Sequence, residues 1–265
     1  MKLKLKNVLI VYTHPAYGEY KSTLELVKNI LKKYNISYKL ADRDKLKKEQ
    51  FTGNDLVIAV GGDGTFLRAA QFVKNEILFG VNADVKTKEG FYMRSGKKDF
   101  ESKLKKIICN IFEIKKLPRL EAYINNKKIG TLALNEFFIG PKKSYHAAKY
   151  IVDINGKKER QKSSGILITT PSGSYAWARA CHKKTLKINS NKFQFVVREP
   201  YEWKVFRNYG LKYKVLNRKQ KVKIISEMLD GVIVADSVGR EFSFKNGSRA
   251  TIGLSKQPLK FMQTK

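Results

Sequence analysis

The sequence predicts an α/β domain built on a parallel sheet, followed by an antiparallel β-rich domain. Three observations carry that reading. Short continuous apolar runs at 8–12, 56–60 and 77–81 alternate with segments of helical spacing, the pattern of a parallel sheet covered on both faces. From Ile111 onward the chain turns to short runs rich in β-branched and aromatic residues, broken by the turn pairs Asn125-Asn126, Asn155-Gly156 and Asn246-Gly247. Finally, 265 residues give room for two modest domains at roughly 150 residues each.

The elements follow in order. Residues 8–12 form a buried strand, and 22–34 a helix with Leu24, Val27, Ile30 and Leu31 on one face. A second strand covers 36–40. A third, 56–60, runs straight into GGDGTFLRAAQFV, where Phe66, Leu67, Ala70 and Val73 have helical spacing, and 77–81 is the fourth strand. A helix over 99–108, with Phe100, Leu104 and Ile107 or Ile108 in phase, connects to the β-rich part. The expected division is 1–98 for the α/β domain and 99–250 for the β-rich domain.

Composition narrows the function classes. With 42% hydrophobic and 11% aromatic residues the chain has material for a core, so global disorder is excluded. Lys and Arg number 54 against 23 Asp and Glu, a formal charge of +31 that will attract polyanions. The basic residues are dispersed along the whole chain, which reads as a solvated surface, and a nucleic-acid partner is not expected. Cys109 and Cys181 lack metal or disulfide spacing and fit a reducing compartment. His14, His146 and His182 lack metal spacing too and read as surface or turn residues. The first apolar run is too short for a signal peptide or a membrane span, and no transit peptide is expected ahead of it. A cytoplasmic location is the expectation.

Chemistry concentrates in three segments. Gly61-Gly62-Asp63-Gly64-Thr65 stands between a strand and a helix, where glycines permit unusual turns and let backbone N–H groups approach a phosphate. An ordinary glycine-rich turn would look the same, but Asp63 opposes anion binding unless it accepts a proton or holds Mg²⁺. In LALNEFFIG, Asn135-Glu136 interrupts an apolar strand, and two adjacent polar groups need partners there unless one faces solvent. In KSSGILITTPSGSYAWARA a strand ends in Thr170-Pro171-Ser172-Gly173-Ser174 and a helical stretch begins near Tyr175, a pattern that a plain serine-rich helix cap shares.

Together these segments resemble the NAD kinase family, whose members carry a GGDGT loop, an Asn-Glu pair and a TPxGSxAY-like loop in this order. The similarity extends through GVNADVKTKEGFYM, QKSSG, FVVREP and GVIVADSVGREFSF, and so spans nearly the whole chain. The KSSG form, Trp177 and the REP triplet look closest to the mitochondrial-type branch. The resemblance implies a Rossmann-like N-terminal domain, a β-sandwich-like C-terminal domain, a dinucleotide bound between them, and a last segment, 251–265, that returns to the first domain.

The implied reaction phosphorylates the 2′-hydroxyl of the adenosine ribose of NAD(H), with ATP and Mg²⁺ or with polyphosphate as donor. By motif, Asp63 would take the hydroxyl proton, and Gly61, Gly62, Gly64 and Thr65 would meet the nucleotide or its phosphates; Arg68, one helical turn beyond the loop, reads either as a phosphate contact or as a solvated arginine on the helix face. Phe91 and Tyr92 would lie against the adenosine, Asn135 would bind the adenine side, and Glu136 the ribose hydroxyls. Lys162, Thr170, Gly173, Ser174, Tyr175, Ala176 and Trp177 would line the dinucleotide site. Ser164 stands where bacterial members have an aspartate at the nicotinamide end, which leaves NAD against NADH open. A homodimer or homotetramer, without membrane contact, is implied as well. The alternatives are a GGDGT-type lipid kinase and a non-catalytic NAD(P)- or nucleic-acid-binding protein.

Overall fold

The computed structural model describes residues 3–13, 18–181 and 183–264, so His14 and His182 lie outside the described residues. The chain divides into two units, one of Met1–Lys116 with Leu259–Lys265 and one of Leu117–Pro258.

In the first unit the strands and helices alternate as β1 (Asn7–Tyr12), α1 (Glu19–Lys33), β2 (Ser37–Asp42), β3 (Leu56–Gly61), α2 (Asp63–Phe72), β4 (Ile77–Asn82), β5 (Ser95–Gly96), α3 (Phe100–Ile108) and β6 (Phe112–Leu117). β1 pairs in parallel with β2 and β3, and β4 in parallel with β3 and β5. β3 and β4 are buried at every position, as their unbroken apolar runs require. α1 presents Leu24, Val27 and Leu31, and α3 presents Phe100, Leu104 and Ile107, to one shared core with the sheet.

The second unit is all-antiparallel apart from two short helical turns. Its elements are β7 (Leu120–Ile124), β8 (Lys127–Ala133), β9 (Glu136–Pro141), β10 (Ala148–Ile154), β11 (Lys157–Ser163), β12 (Gly165–Thr169), α4 (Trp177–Ala180), β13 (Lys192–Arg198), β14 (Tyr213–Asn217), β15 (Val222–Ser226), β16 (Gly231–Ala235), β17 (Glu241–Ser243) and β18 (Arg249–Leu254). They form two six-stranded sheets, β11-β10-β15-β18-β7-β8 and β14-β13-β12-β9-β16-β17. One apolar cluster draws on both, with Leu120, Tyr150 and Ile252 from the first and Phe137, Ile168 and Phe195 from the second, which makes the unit a β-sandwich. Two of the predicted turn pairs are left-handed at both residues, Asn125 and Asn126 at φ 48° and 66° and Asn155 and Gly156 at 57° and 86°, and in the third only Gly247 is, at 80°.

The last strand, β19 (Leu259–Thr264), returns to the first sheet and pairs in parallel with β4 through Lys260↔Ile77 and Phe261↔Leu78. Two details differ from the sequence expectation. The division falls at Lys116/Leu117 rather than 98/99, because the apolar face of α3 belongs to the first core. The return begins at Leu259 rather than 251, because β18 is committed on both edges to β15 and β7 in the sandwich.

Candidate functional site

In the first unit the glycine motif is the join of β3 to α2. Gly61 closes the strand, Gly62 caps the helix with extended backbone, and Asp63-Gly64-Thr65 is already the first helical turn. The expected reason for the glycines was conformational freedom, yet none of these three has a positive φ. Space is the reason at Gly61, where a Cβ would stand 2.4 Å from Thr65 Oγ1. Beside Gly64 nothing lies within 4 Å of where a Cβ would be, so a ligand could approach the backbone there.

Asp63 is held by its own side chain. Its carboxylate accepts hydrogen bonds from the backbone N–H groups of Phe91 at 3.0 Å and Tyr92 at 2.8 Å, which ties the helix start to the segment after β4. The half-buried Arg94 guanidinium is fastened to the carbonyls of Phe91 and Met93 and lies over the Phe261 ring. Burial lowers its pKa, and the Asp63 carboxylate opposes that shift.

Two predicted contact residues are turned inward here. Tyr92 is 1% exposed and stacks on Phe66 at 4.8 Å, so its ring belongs to the core and does not lie open to an adenosine. Thr65 is fully buried, its hydroxyl 2.9 Å from that of Thr13 and within reach of Arg43. Phe91 remains half-buried, edge-on to Tyr92. Arg68 leans to Asp44 at 3.7 Å.

In the second unit the Asn-Glu and TPSGSYAW segments meet, because β9 lies between β12 and β16. Glu136 pairs with Thr169 across one edge, and Phe137 with Ala235 across the other. Both carbonyls before the strand are taken up: Thr170 Oγ1 donates to Leu134 O at 2.6 Å, and Thr169 Oγ1 and Thr170 N donate to Asn135 O. The N–H groups of Leu134, Asn135 and Glu136 all donate to the Asp236 carboxylate. Gly173 is obligatory for the same reason as Gly61, since a Cβ there would lie 2.1 Å from Asn135 O. Ser174 is buried, donating to Pro171 O and accepting from Leu186 N, so it fixes the loop instead of facing a ligand.

After a 3-10 turn at Gly173–Tyr175, α4 is only four residues long. Tyr175 and Ala176 are exposed. Trp177 stacks on Phe138 at 5.4 Å, and the Arg198 guanidinium lies 4.4 Å above its ring. Lys162 stands over Tyr201 at 4.2 Å, and Ser164 donates its backbone N–H to Arg198 O.

Glu136 is 3% exposed, with one oxygen receiving a hydrogen bond from Ser237 and Oε2 left without a partner. Burial first, and the like charge of Asp236 second, push its pKa up to about 8. Among the described residues no group of three or more His, Cys, Asp or Glu could hold a metal ion.

The family model of the ATP-NAD kinase N-terminal domain matches residues 6–110, the stretch that contains β3, the glycine join and Asp63. The chain is similar to NAD kinases, over this stretch to the family model and over most of its length to individual relatives. It is 29% identical over 253 residues to an NAD kinase of Sulfurisphaera tokodaii, covering 89% of this chain and 88% of that one. It is 26% identical over 207 residues to a probable NADH kinase of Oryza sativa subsp. japonica, covering 68% of this chain but 62% of the rice protein. The crystal structure of an NAD kinase from Archaeoglobus fulgidus in complex with ATP superposes with a TM-score of 0.77 at 23% identity, over 98% of this chain and 93% of that one, so the two share a fold.

Against the family motifs, sequence reading missed three residues. Arg94 is an isolated basic residue with no pattern around it. Arg198 lay inside the FVVREP similarity without a role. Asp236 was visible only as one residue of GVIVADSVGREFSF, and its part comes from tertiary placement beside β9.

Proposed function

We propose that this protein is an NAD kinase that uses ATP to phosphorylate the 2′-hydroxyl of the adenosine ribose of NAD(H), giving NADP(H). The observation that most supports the reading is the seat of Asp63. A carboxylate fixed by two backbone N–H groups stands in the first turn of α2, next to the open side of Gly64. In the second unit, the buried Asn135-Glu136 corner and the aromatic surface of Tyr175 and Trp177 offer the polar and planar groups that an adenosine needs.

Phosphoryl transfer passes through a loose transition state with little proton loss from the nucleophile, so Asp63 serves chiefly to align the hydroxyl and accept its proton late. Charge neutralisation must come from basic side chains, for which Arg94 and Arg68 are the candidates in this unit. Mg²⁺ enters this reading only as the companion of ATP. Ser164 brings no negative charge to its position, so NADH should be accepted at least as well as NAD. A homodimer or homotetramer belongs to the same proposal on the strength of the resemblance, and a cytoplasmic location on the two cysteines that lack disulfide spacing and fit a reducing compartment.

The deciding experiment is incubation with ATP and Mg²⁺, or with polyphosphate, and either NAD or NADH, reading NADP(H). Formation with either acceptor sustains the proposal. Absence with both would move a lipid acceptor or a purely binding role ahead.

A further inference from the structure

We propose that Asp236 is a positioning residue for Glu136, fixing the corner that carries it and compelling its carboxyl group to meet the ligand as a neutral hydrogen-bond donor. The inference rests on the reading of Asn135-Glu136 as part of the dinucleotide site and adds the chemical state in which Glu136 works.

The geometry is reciprocal. Asp236 Oδ2 accepts from Leu134 N at 3.0 Å, and Oδ1 accepts from Asn135 N at 2.6 Å and from Glu136 N at 3.3 Å. In return, Asp236 N donates to Glu136 O at 2.9 Å. Asp236 reaches this position with φ 55°, a conformation that an aspartate tolerates when local hydrogen bonds repay it. Three converging donors are the complement that an ionised carboxylate takes. Glu136 has the opposite surroundings: a single hydroxyl from Ser237, and an oxygen shut from solvent without a partner.

When two acids share a buried site, one proton stays, and it stays on the group with fewer donors. The groups that act on the Glu136 charge are Asp236, a like charge at the end of β16, and the Ser237 hydroxyl, with no basic side chain among them. These influences put its pKa near 8, so the acid form prevails at neutral pH. A ligand that covers the corner removes more water and favours the neutral form further. Because Oε2 is shut from solvent, a sugar hydroxyl reaches it only when the Asn135-Glu136 corner shifts on binding.

The test reads the full-length protein in two ways. With carboxyl-¹³C-labelled glutamate, NMR of the free protein should show one resonance, absent in Glu136→Gln, that titrates near pH 8. Asp236→Asn should lower that midpoint by about one unit or more, and Ser237→Ala should raise it. In binding, wild-type affinity for NADH should fall about tenfold between pH 7 and 9, whereas Glu136→Gln, also a neutral donor, should stay within about threefold of wild type at pH 7 and be flat to pH 9. A wild-type midpoint below about 6, an unmoved midpoint in a folded Asp236→Asn protein, or loss of more than about tenfold affinity in Glu136→Gln at pH 7 would each overturn the proposal. Should Asp236→Asn fail to fold, the wild-type and Ser237→Ala midpoints decide the question. The NMR titration needs no substrate, so failure of the kinase reading shows separately, as absence of NADP(H) formation by the wild type.

Discussion

The Asp63 carboxylate holds the backbone N–H of Tyr92 at 2.8 Å and that of Phe91 at 3.0 Å, so the acid proposed to meet the ribose is also the clamp between α2 and the segment after β4. Its orientation is set before any ligand arrives. That double duty separates two effects of mutation.

Asp63→Asn should lower turnover by about 10²-fold or more while dinucleotide affinity changes by only a few-fold, because an amide cannot take the hydroxyl proton. The amide also presents N–H to one of the two N–H donors, so thermal unfolding should show a loss of about 1 kcal/mol. Equal losses in kcat and affinity would remove the general-base assignment.

The two glycine loops should respond in opposite ways. Gly64→Ala meets nothing within 4 Å and places alanine inside a helix, so stability should rise by up to about 1 kcal/mol while activity falls if a phosphate approaches that backbone. Gly173→Ala must displace the Asn135 carbonyl from 2.1 Å, and should lose both stability and dinucleotide binding. Melting curves beside KM values for both variants distinguish a contact surface from a packing constraint.

Phe91 and Tyr92 are neighbours with different fates. Tyr92→Ala removes a core ring stacked on Phe66 and should cost about 3–5 kcal/mol in denaturant unfolding. Phe91→Ala should cost much less and act mainly on KM for NAD(H). A large KM effect with normal stability in Tyr92→Ala would contradict the burial of its ring.

Glu136 gives a stability signature in pH. Its folded pKa of about 8 lies above the ordinary 4.5, so between those values the native state holds a proton that the unfolded state has released. Its contribution is therefore fully present below pH 4.5 and is lost as pH rises toward 8. Glu136→Gln should overtake the wild type across that window, by several kcal/mol at most in Tm-derived stability at pH 9.

Much of this was legible in the chain alone. Apolar runs without alternation announced β3 and β4 as strands covered on both faces, helical phase placed Phe100, Leu104 and Ile107 on one side of α3, and the pairs Asn125-Asn126 and Asn155-Gly156 marked two hairpins. These are local properties, set by side-chain periodicity and by the backbone preferences of single residues. The motifs likewise named Asp63, an acid set in an anion cradle, and Asn135 and Glu136, polar groups that interrupt an apolar strand.

Periodicity carries no information about which distant segment supplies a partner. That α3 joins the first core while β18 stays in the sandwich, that Tyr92 turns inward while Phe91 does not, and that Asp236 closes on residues 134–136 from a hundred positions away all follow from strand order and side-chain packing. Buried polar groups must find donors or acceptors wherever the fold brings them, and that requirement is met in three dimensions rather than along the chain.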